Sequence, residues 1–140
     1  MFTLKIALIQ KNFVFLQSQS DRLVDLFYGR LFSIAPEVKP LFTGDMHKQG
    51  QKLMGFLQLA ILGLQEPQNI IPAIKSLGER HHDYGVTQNH YPLVGEALLW
   101  AIAELSGEQF TAELEDAWTE AYYLLAGLMK EASTNRQAQL

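Results

Sequence analysis

Apolar side chains recur at intervals of three and four residues along nearly the whole chain, and no stretch keeps the alternation of a half-buried strand. This periodicity predicts an all-α domain of six longer helices with short helical turns between them. Ser20 and Thr111 are the predicted N-caps of the second and sixth helices, and Gly85 is the predicted end of the fourth. The predicted helices cover about 4–16, 21–32, 47–64, 69–83, 92–105 and 112–132.

Composition narrows the possible partners and location. A chain of 140 residues, 48% of them apolar, is long enough for one domain with a sizeable core. The net charge is −4 with no basic run, so neither nucleic acid nor a membrane surface is an expected partner. The stretch 2–16 is too short and too polar to span a bilayer and has no small-residue cleavage site. With no cysteine, this predicts a cytoplasmic single domain over 1–140, with 1–3 and 134–140 frayed.

His81 is the residue with the clearest chemical potential. Helical spacing puts it on one stripe with Ile74 and Leu77, so it points toward apolar surroundings. A neutral imidazole in such surroundings suits an axial ligand of haem iron, but a core histidine bonded to a backbone carbonyl fits equally well. The adjacent His82 shares its stripe with Lys75 and is expected to face water.

A second polar group lies on the inner face of the third predicted helix. Gln49 and Leu53 are one turn apart, so the glutamine must either reach outward to solvent or find a buried partner. Tyr28 lies among apolar residues of the second helix, where its hydroxyl needs a partner if it is buried. A surface glutamine and a core tyrosine are the alternatives. His47, two residues before Gln49, points to another side of the helix.

Several segments in a fixed order resemble one family. The chain is similar to bacterial single-domain globins, the branch shared with the globin part of flavohaemoglobins, over roughly residues 20 to 130. The order and separation of these segments, rather than any one of them, carry the resemblance. The segments are Phe27 to Phe32, Ala35 to Phe42, Gln49 to Met54, Arg80 to Val86, His90 to Glu96 and Ala117 to Tyr122.

The resemblance implies a globin fold around a haem b pocket. His81 is the implied proximal iron ligand, because Gly85-Val86 follows it at the family's spacing. Tyr28, Gln49 and Leu53 are the implied distal residues, and bound O₂ would accept hydrogen bonds from the first two. Lys52 and Arg80 are implied partners of the haem propionates, although solvated surface cations are an equal alternative. The further implied pocket residues are Phe42, Leu57, Leu77, Val86, Tyr91 and Val94.

The chain departs from the family on the proximal side. Tyr91 matches a tyrosine that bonds the proximal histidine, but the glutamate that this tyrosine contacts in the family falls at Ser133. Glu131 lies about half a turn away. Without that glutamate, strong peroxidase or NO dioxygenase tuning is not expected.

The function expected from the resemblance is reversible O₂ binding for delivery, storage or buffering, with CO and NO as further ligands and no catalytic residue. NO dioxygenation with a separate reductase is the alternative, because 140 residues leave no room for a flavin module. A haem-based gas sensor is a third possibility. A monomer or a homodimer is expected.

Overall fold

The computed structural model describes the backbone of residues 2–83 and 85–138 and the side chains of residues 5–66, 68–81 and 85–132. These residues form helices and include no strand, which confirms the predicted all-α class. The six α-helices are α1 (Phe2–Ser18), α2 (Ser20–Ile34), α3 (Met46–Leu62), α4 (Ile71–Asp83), α5 (His90–Ser106) and α6 (Ala112–Ala138). Short 3₁₀ helices occupy Pro36–Leu41, Gly63–Gln65, Pro67–Asn69 and Gly107–Gln109.

Local capping chemistry explains where several helices begin. Thr111 caps α6 as predicted, since its Oγ1 accepts a hydrogen bond from the backbone N–H of Leu114 at 3.2 Å. The Asp45 side chain caps α3 by accepting from the N–H of His47 at 2.8 Å. The predicted cap at Ser20 is wrong, because α2 already includes Ser20 and the preceding Gln19 makes no side-chain cap.

Two other helix limits also differ from the sequence prediction. α5 begins at His90, two residues before Pro92, because a proline in the first turn gives up only an N–H that has no partner within the helix. α6 continues to Ala138, beyond the predicted end at Ala132 and into the segment expected to fray. None of the described helices is long and apolar enough to cross a membrane.

The buried side chains form two hydrophobic clusters. The larger cluster joins α1, α2 and α5 with the first half of α6, and it includes the inner residues Leu57 and Ile61 of α3. The smaller cluster joins α4 with the second half of α6 around Ile74 and Met129, and it includes Ala60 of α3. α4 packs mainly on α6, whereas α2 packs mainly on α5. Among the described residues α3 therefore contributes to both clusters, whereas α4 contributes to the smaller one.

A buried polar group ties the larger cluster together. The Asn12 side chain accepts a hydrogen bond from Trp118 Nε1 at 2.9 Å and donates one to Ser106 Oγ at 3.0 Å. Each of the three residues is at most 6% exposed. Asn12 therefore joins α1, α5 and α6 through a polar network in which both ends of its amide are satisfied.

Candidate functional site

The region between α3 and α4, here called the slot, is bordered by both clusters. The larger helix contacts among the described residues include none between α3 and α4, although Ala60 of α3 belongs to the same buried cluster as Ile74 of α4. Apolar side chains at the borders of both clusters are consequently only half-buried. They are Phe42, Leu53 and Val94 against the larger cluster, and Phe56, Leu77 and Val86 against the smaller one. A flat apolar group between α3 and α4 would complete their burial.

His81 is half-buried near the end of α4, and its ring orientation is fixed by the backbone. Its Nδ1 lies 2.9 Å from the carbonyl oxygen of Leu77, so Nδ1 carries the proton and donates, and the lone pair of Nε2 is available to a ligand acceptor. Burial lowers the pKa of His81; the Leu77 hydrogen bond opposes this effect, and the charge of Arg80 adds to it. Burial therefore favours the neutral imidazole, and the hydrogen bond to Leu77 occupies one of its nitrogens.

The chain leaves α4 sharply after this histidine. The backbone N–H of Val86 donates to the carbonyl oxygen of His81 at 2.9 Å. Gly85 has a φ of +95°, a left-handed conformation that glycine adopts at little cost and that confirms its predicted role at the end of the helix. The predicted outward orientation of His82 lies outside the described side chains.

Tyr28 is buried among aromatic rings of α2 and the following segment. Its ring centroid lies 4.9 Å from that of Phe27, 5.9 Å from that of Phe32 and 5.4 Å from that of Phe42. Burial raises its pKa to about 12, so the hydroxyl keeps its proton throughout the physiological range. No group in the described part of the chain accepts that proton in a hydrogen bond.

A close crossing of α2 and α3 lies next to the two predicted donors. A Cβ atom on Gly50 would lie 2.6 Å from Cγ1 of Val24, so the helices meet at these residues. Gly50 follows Gln49, and Val24 precedes Tyr28 by one turn. Gln49 and Leu53 are both half-buried, as a position at the edge of the slot requires.

His47 lies away from this face, as the spacing predicts. It is exposed, and its Nε2 is 3.3 Å from Nε2 of Gln51. Leu57 is buried in the larger cluster, two turns beyond Gln49. Lys52 and Arg80, the predicted propionate partners, are both exposed.

Tyr91 has a buried hydroxyl without a partner in the described structure. The residue is 5% exposed, its carbonyl oxygen accepts a hydrogen bond from the Tyr122 hydroxyl at 2.6 Å, and Lys130 Nζ lies 5.7 Å from its ring centroid. Glu131 is exposed, and the side chain of Ser133 lies outside the described residues. The structure therefore shows no carboxylate at this hydroxyl along the described chain.

The structure also has a groove that sequence reasoning missed. It encloses about 800 Å³ between the end of α1, α2 and α3. Of the predicted site residues, Tyr28 lines it, so this groove borders the aromatic cluster. Its other lining residues include Val24, Gly29, Phe32, Met46, Gly50 and Met54, with Asp21, Asp25 and His47 among the polar ones. Glycines at positions 29, 50 and 55 were the available sequence signal, because they open space between two helices.

Residues 25–129 match the model of the Globin family. The chain is similar to flavohemoproteins of Bacillus subtilis and Chromobacterium violaceum, with 32% and 34% identity over 124 residues, or 86% of this chain. It spans about a third of the length of these relatives, 31% and 30% respectively.

Solved structures give the same likeness over nearly the whole chain. A bacterial globin from Campylobacter jejuni superposes with a TM-score of 0.85 and 27% identity, covering 97% of this chain and 99% of that one. An engineered carbene transferase from Rhodothermus marinus, whose parent is described as a candidate nitric oxide dioxygenase, gives a TM-score of 0.87 and 31% identity. That match covers 96% of this chain and 94% of the other.

Proposed function

The chain belongs to the globin family, and from that premise we propose that it holds haem b between α3 and α4 and binds O₂ reversibly there. CO and NO are proposed as further ligands of the same site. Delivery, storage or buffering of O₂ is the proposed physiological role. The whole of 1–140 is proposed as one globin domain.

The residues present fit a haem. Half-buried apolar side chains border the slot on both sides, as a flat apolar macrocycle requires. A neutral imidazole with an available Nε2 lies on α4, and the tyrosine hydroxyl of Tyr28, which has no acceptor in the described chain, lies on α2. Exposed Lys52 and Arg80 are on the two helices that flank the slot, where carboxylates at the haem edge would meet them.

Each residue then has a distinct part. When bound, haem supplies a ferrous iron that binds diatomic gases. His81 binds the iron through Nε2 while Leu77 fixes its tautomer through Nδ1. Tyr28 and Gln49 donate hydrogen bonds toward the gas site, Leu53 keeps water out, and Phe42 packs against the macrocycle.

The observation that carries this proposal is the His81 hydrogen bond to Leu77, because it commits Nδ1 and leaves Nε2 for a metal. The test is the visible spectrum of the purified protein, reduced and then exposed to O₂ and to CO. We expect a five-coordinate ferrous haem that forms a stable O₂ complex and returns to the ferrous form when O₂ is removed. A protein without bound haem, or one that is oxidised at once by O₂, would contradict the proposal.

NO dioxygenation is the second candidate, and the Rhodothermus marinus neighbour is the observation that favours it. The buried Tyr91 hydroxyl has no carboxylate partner among the described side chains, and such a partner would be a source of added electron density on the proximal histidine. An electron donor or a separate reductase would have to restore the iron after each turnover. Sustained NO consumption over many turnovers with such a donor would favour this role over O₂ carriage. A haem-based gas sensor is the third candidate and the least favoured of the three.

A cysteine-free chain suits a reducing compartment, and the cytoplasm is the proposed location. A monomer or a homodimer is proposed as the assembled state.

A further inference from the structure

The helix that carries His81 is positioned by one neighbour. α4 packs extensively on α6 and otherwise chiefly on the short Pro67–Asn69 helix. The contact with α6 is unusually close at Gly78, which is buried and lies three residues before His81. At 100° per residue, the two positions are about 60° apart around the helix, so the face that meets α6 adjoins the face that carries the histidine.

The approach at Gly78 leaves no room for any side chain. A Cβ atom there would lie 2.5 Å from the carbonyl oxygen of Met129 and 2.8 Å from its Cα atom. Both are backbone atoms of a helix, and neither can rotate aside as a side chain would. Since carbon atoms in contact keep about 3.5–4.0 Å apart, one methyl group would have to move α4 from α6 by about 1 Å.

We propose that Gly78 is a positioning residue for the haem ligand, and that its contact with Met129 sets where α4 presents the His81 imidazole to the slot. This inference rests on the proposed function, in which His81 binds the iron. α4 packs far more extensively on α6 than on any other helix of the described structure, so α6 offers the main resistance to such a movement. The groups that chiefly determine the histidine's place are therefore on α6.

The test compares Gly78→Ala with Gly127→Ala in the haem-loaded protein. Gly127 lies on α6 two residues before Met129, and a Cβ added to it would meet nothing within 4 Å, so it controls for the change of residue type. The readouts are the iron–histidine stretching band in the resonance Raman spectrum and the rate of haem transfer to a haem-scavenging protein. We expect Gly78→Ala to shift or broaden the band and to speed haem loss about tenfold. Gly127→Ala should leave both as in the wild type.

A second pair of variants separates positioning from general loosening of the fold. In His81→Gly, free imidazole replaces the side chain and binds the iron without a link to α4. Adding Gly78→Ala to His81→Gly should then leave the imidazole-bound spectrum unchanged, because no helix connects the ligand to Met129. If Gly78→Ala changes the spectrum as much in His81→Gly with imidazole as it does when His81 is present, the proposed positioning role is wrong.

The remaining outcomes are also decisive. A band that persists in His81→Gly without imidazole contradicts the proposed ligand, and the role of Gly78 with it. A band that is lost in His81→Gly but unchanged in Gly78→Ala contradicts the role of Gly78 alone. If haem-free Gly78→Ala fails to fold by circular dichroism, the contact is a requirement of the fold itself and the positioning role is wrong.

Discussion

Tyr28 illustrates how a single residue combines packing with chemistry. Three phenylalanine rings surround it, which is what a core tyrosine would show, yet its hydroxyl has no acceptor in the described part of the chain. The hydroxyl can therefore donate a hydrogen bond to a ligand that reaches it. The sequence leaves two roles open for Tyr28, core packing and hydrogen-bond donation. Under the proposed function, the same side chain fills both.

Replacing Tyr28 by phenylalanine should speed the release of O₂ while sparing CO. The change removes the hydroxyl and keeps the ring against its aromatic neighbours. A hydrogen bond to a strongly polarised acceptor is worth about 1.5–3 kcal/mol, which corresponds to roughly a tenfold to hundredfold faster O₂ dissociation. Bound CO is far less polar, so its dissociation rate should change much less. Stopped-flow measurement of both dissociation rates checks the prediction.

Gln49→Leu is the companion variant on α3. It should act in the same direction but more weakly, because the half-buried glutamine at the edge of the slot can also reach solvent. Unchanged O₂ release in Tyr28→Phe would mean that Tyr28 is a core residue only.

At the scale of helices, the sequence predicts the helix positions that follow from apolar periodicity and the helix ends that follow from side-chain caps. The cap by Thr111 and the helix end at Gly85 follow from local chemistry and are confirmed. The sequence does not predict that α5 begins before Pro92, because a proline in the first turn permits a helix without requiring one. It also does not predict that α6 extends to Ala138, because a polar last turn is equally compatible with a helix and with irregular chain. The close contact of Gly78 with Met129 joins residues far apart in the chain, and no local pattern reveals it.

Asn12 should contribute substantially to the free energy of unfolding, because it is the polar link between three helices. Asn12→Ala leaves the N–H of Trp118 and the hydroxyl of Ser106 buried without their partner, and each such group costs about 1–3 kcal/mol. We expect the free energy of unfolding to fall by about 2–4 kcal/mol, measured by denaturant titration. The neighbouring exposed Lys11→Ala controls for the change in helix composition. A loss as small as that of the control would show that the network does not stabilise the fold.

At the scale of the whole molecule, helical periodicity predicts the all-α class, and the order and spacing of several segments predict the globin family. The comparisons confirm both. The division of the core into two clusters does not follow, because Leu53 and Leu77 look like ordinary core leucines in the sequence. The roles of the predicted site residues remain proposals. What the structure adds is their setting: a slot between helices that pack on different partners, and a histidine with one nitrogen committed.

Buried tyrosines should make the fold sensitive to alkaline pH. Burial raises the pKa of Tyr28 to about 12, and burial also raises the pKa of Tyr91 and of Tyr122. The native state therefore keeps protons that the unfolded state loses above about pH 10, so stability is full below pH 10 and falls as pH rises toward 12. The contribution of Tyr28 is about 1.4 kcal/mol per pH unit in that window.

Tyr28→Phe should consequently reduce the slope of unfolding free energy against pH between 10 and 12, whatever its effect at pH 7. Denaturant titrations at several alkaline pH values check this, and equal slopes in the variant and the wild type would contradict it.

Haem titration of His81→Ala and His82→Ala tests most directly whether this chain is a haem protein with His81 as its iron ligand. Each haem-free variant is titrated with haem, and the reduced spectrum is recorded before and after CO is added. We expect His82→Ala to bind one haem and to match the wild type, and His81→Ala to bind haem weakly and to recover a five-coordinate spectrum only when imidazole is added. A normal ferrous spectrum in His81→Ala without imidazole would contradict the account.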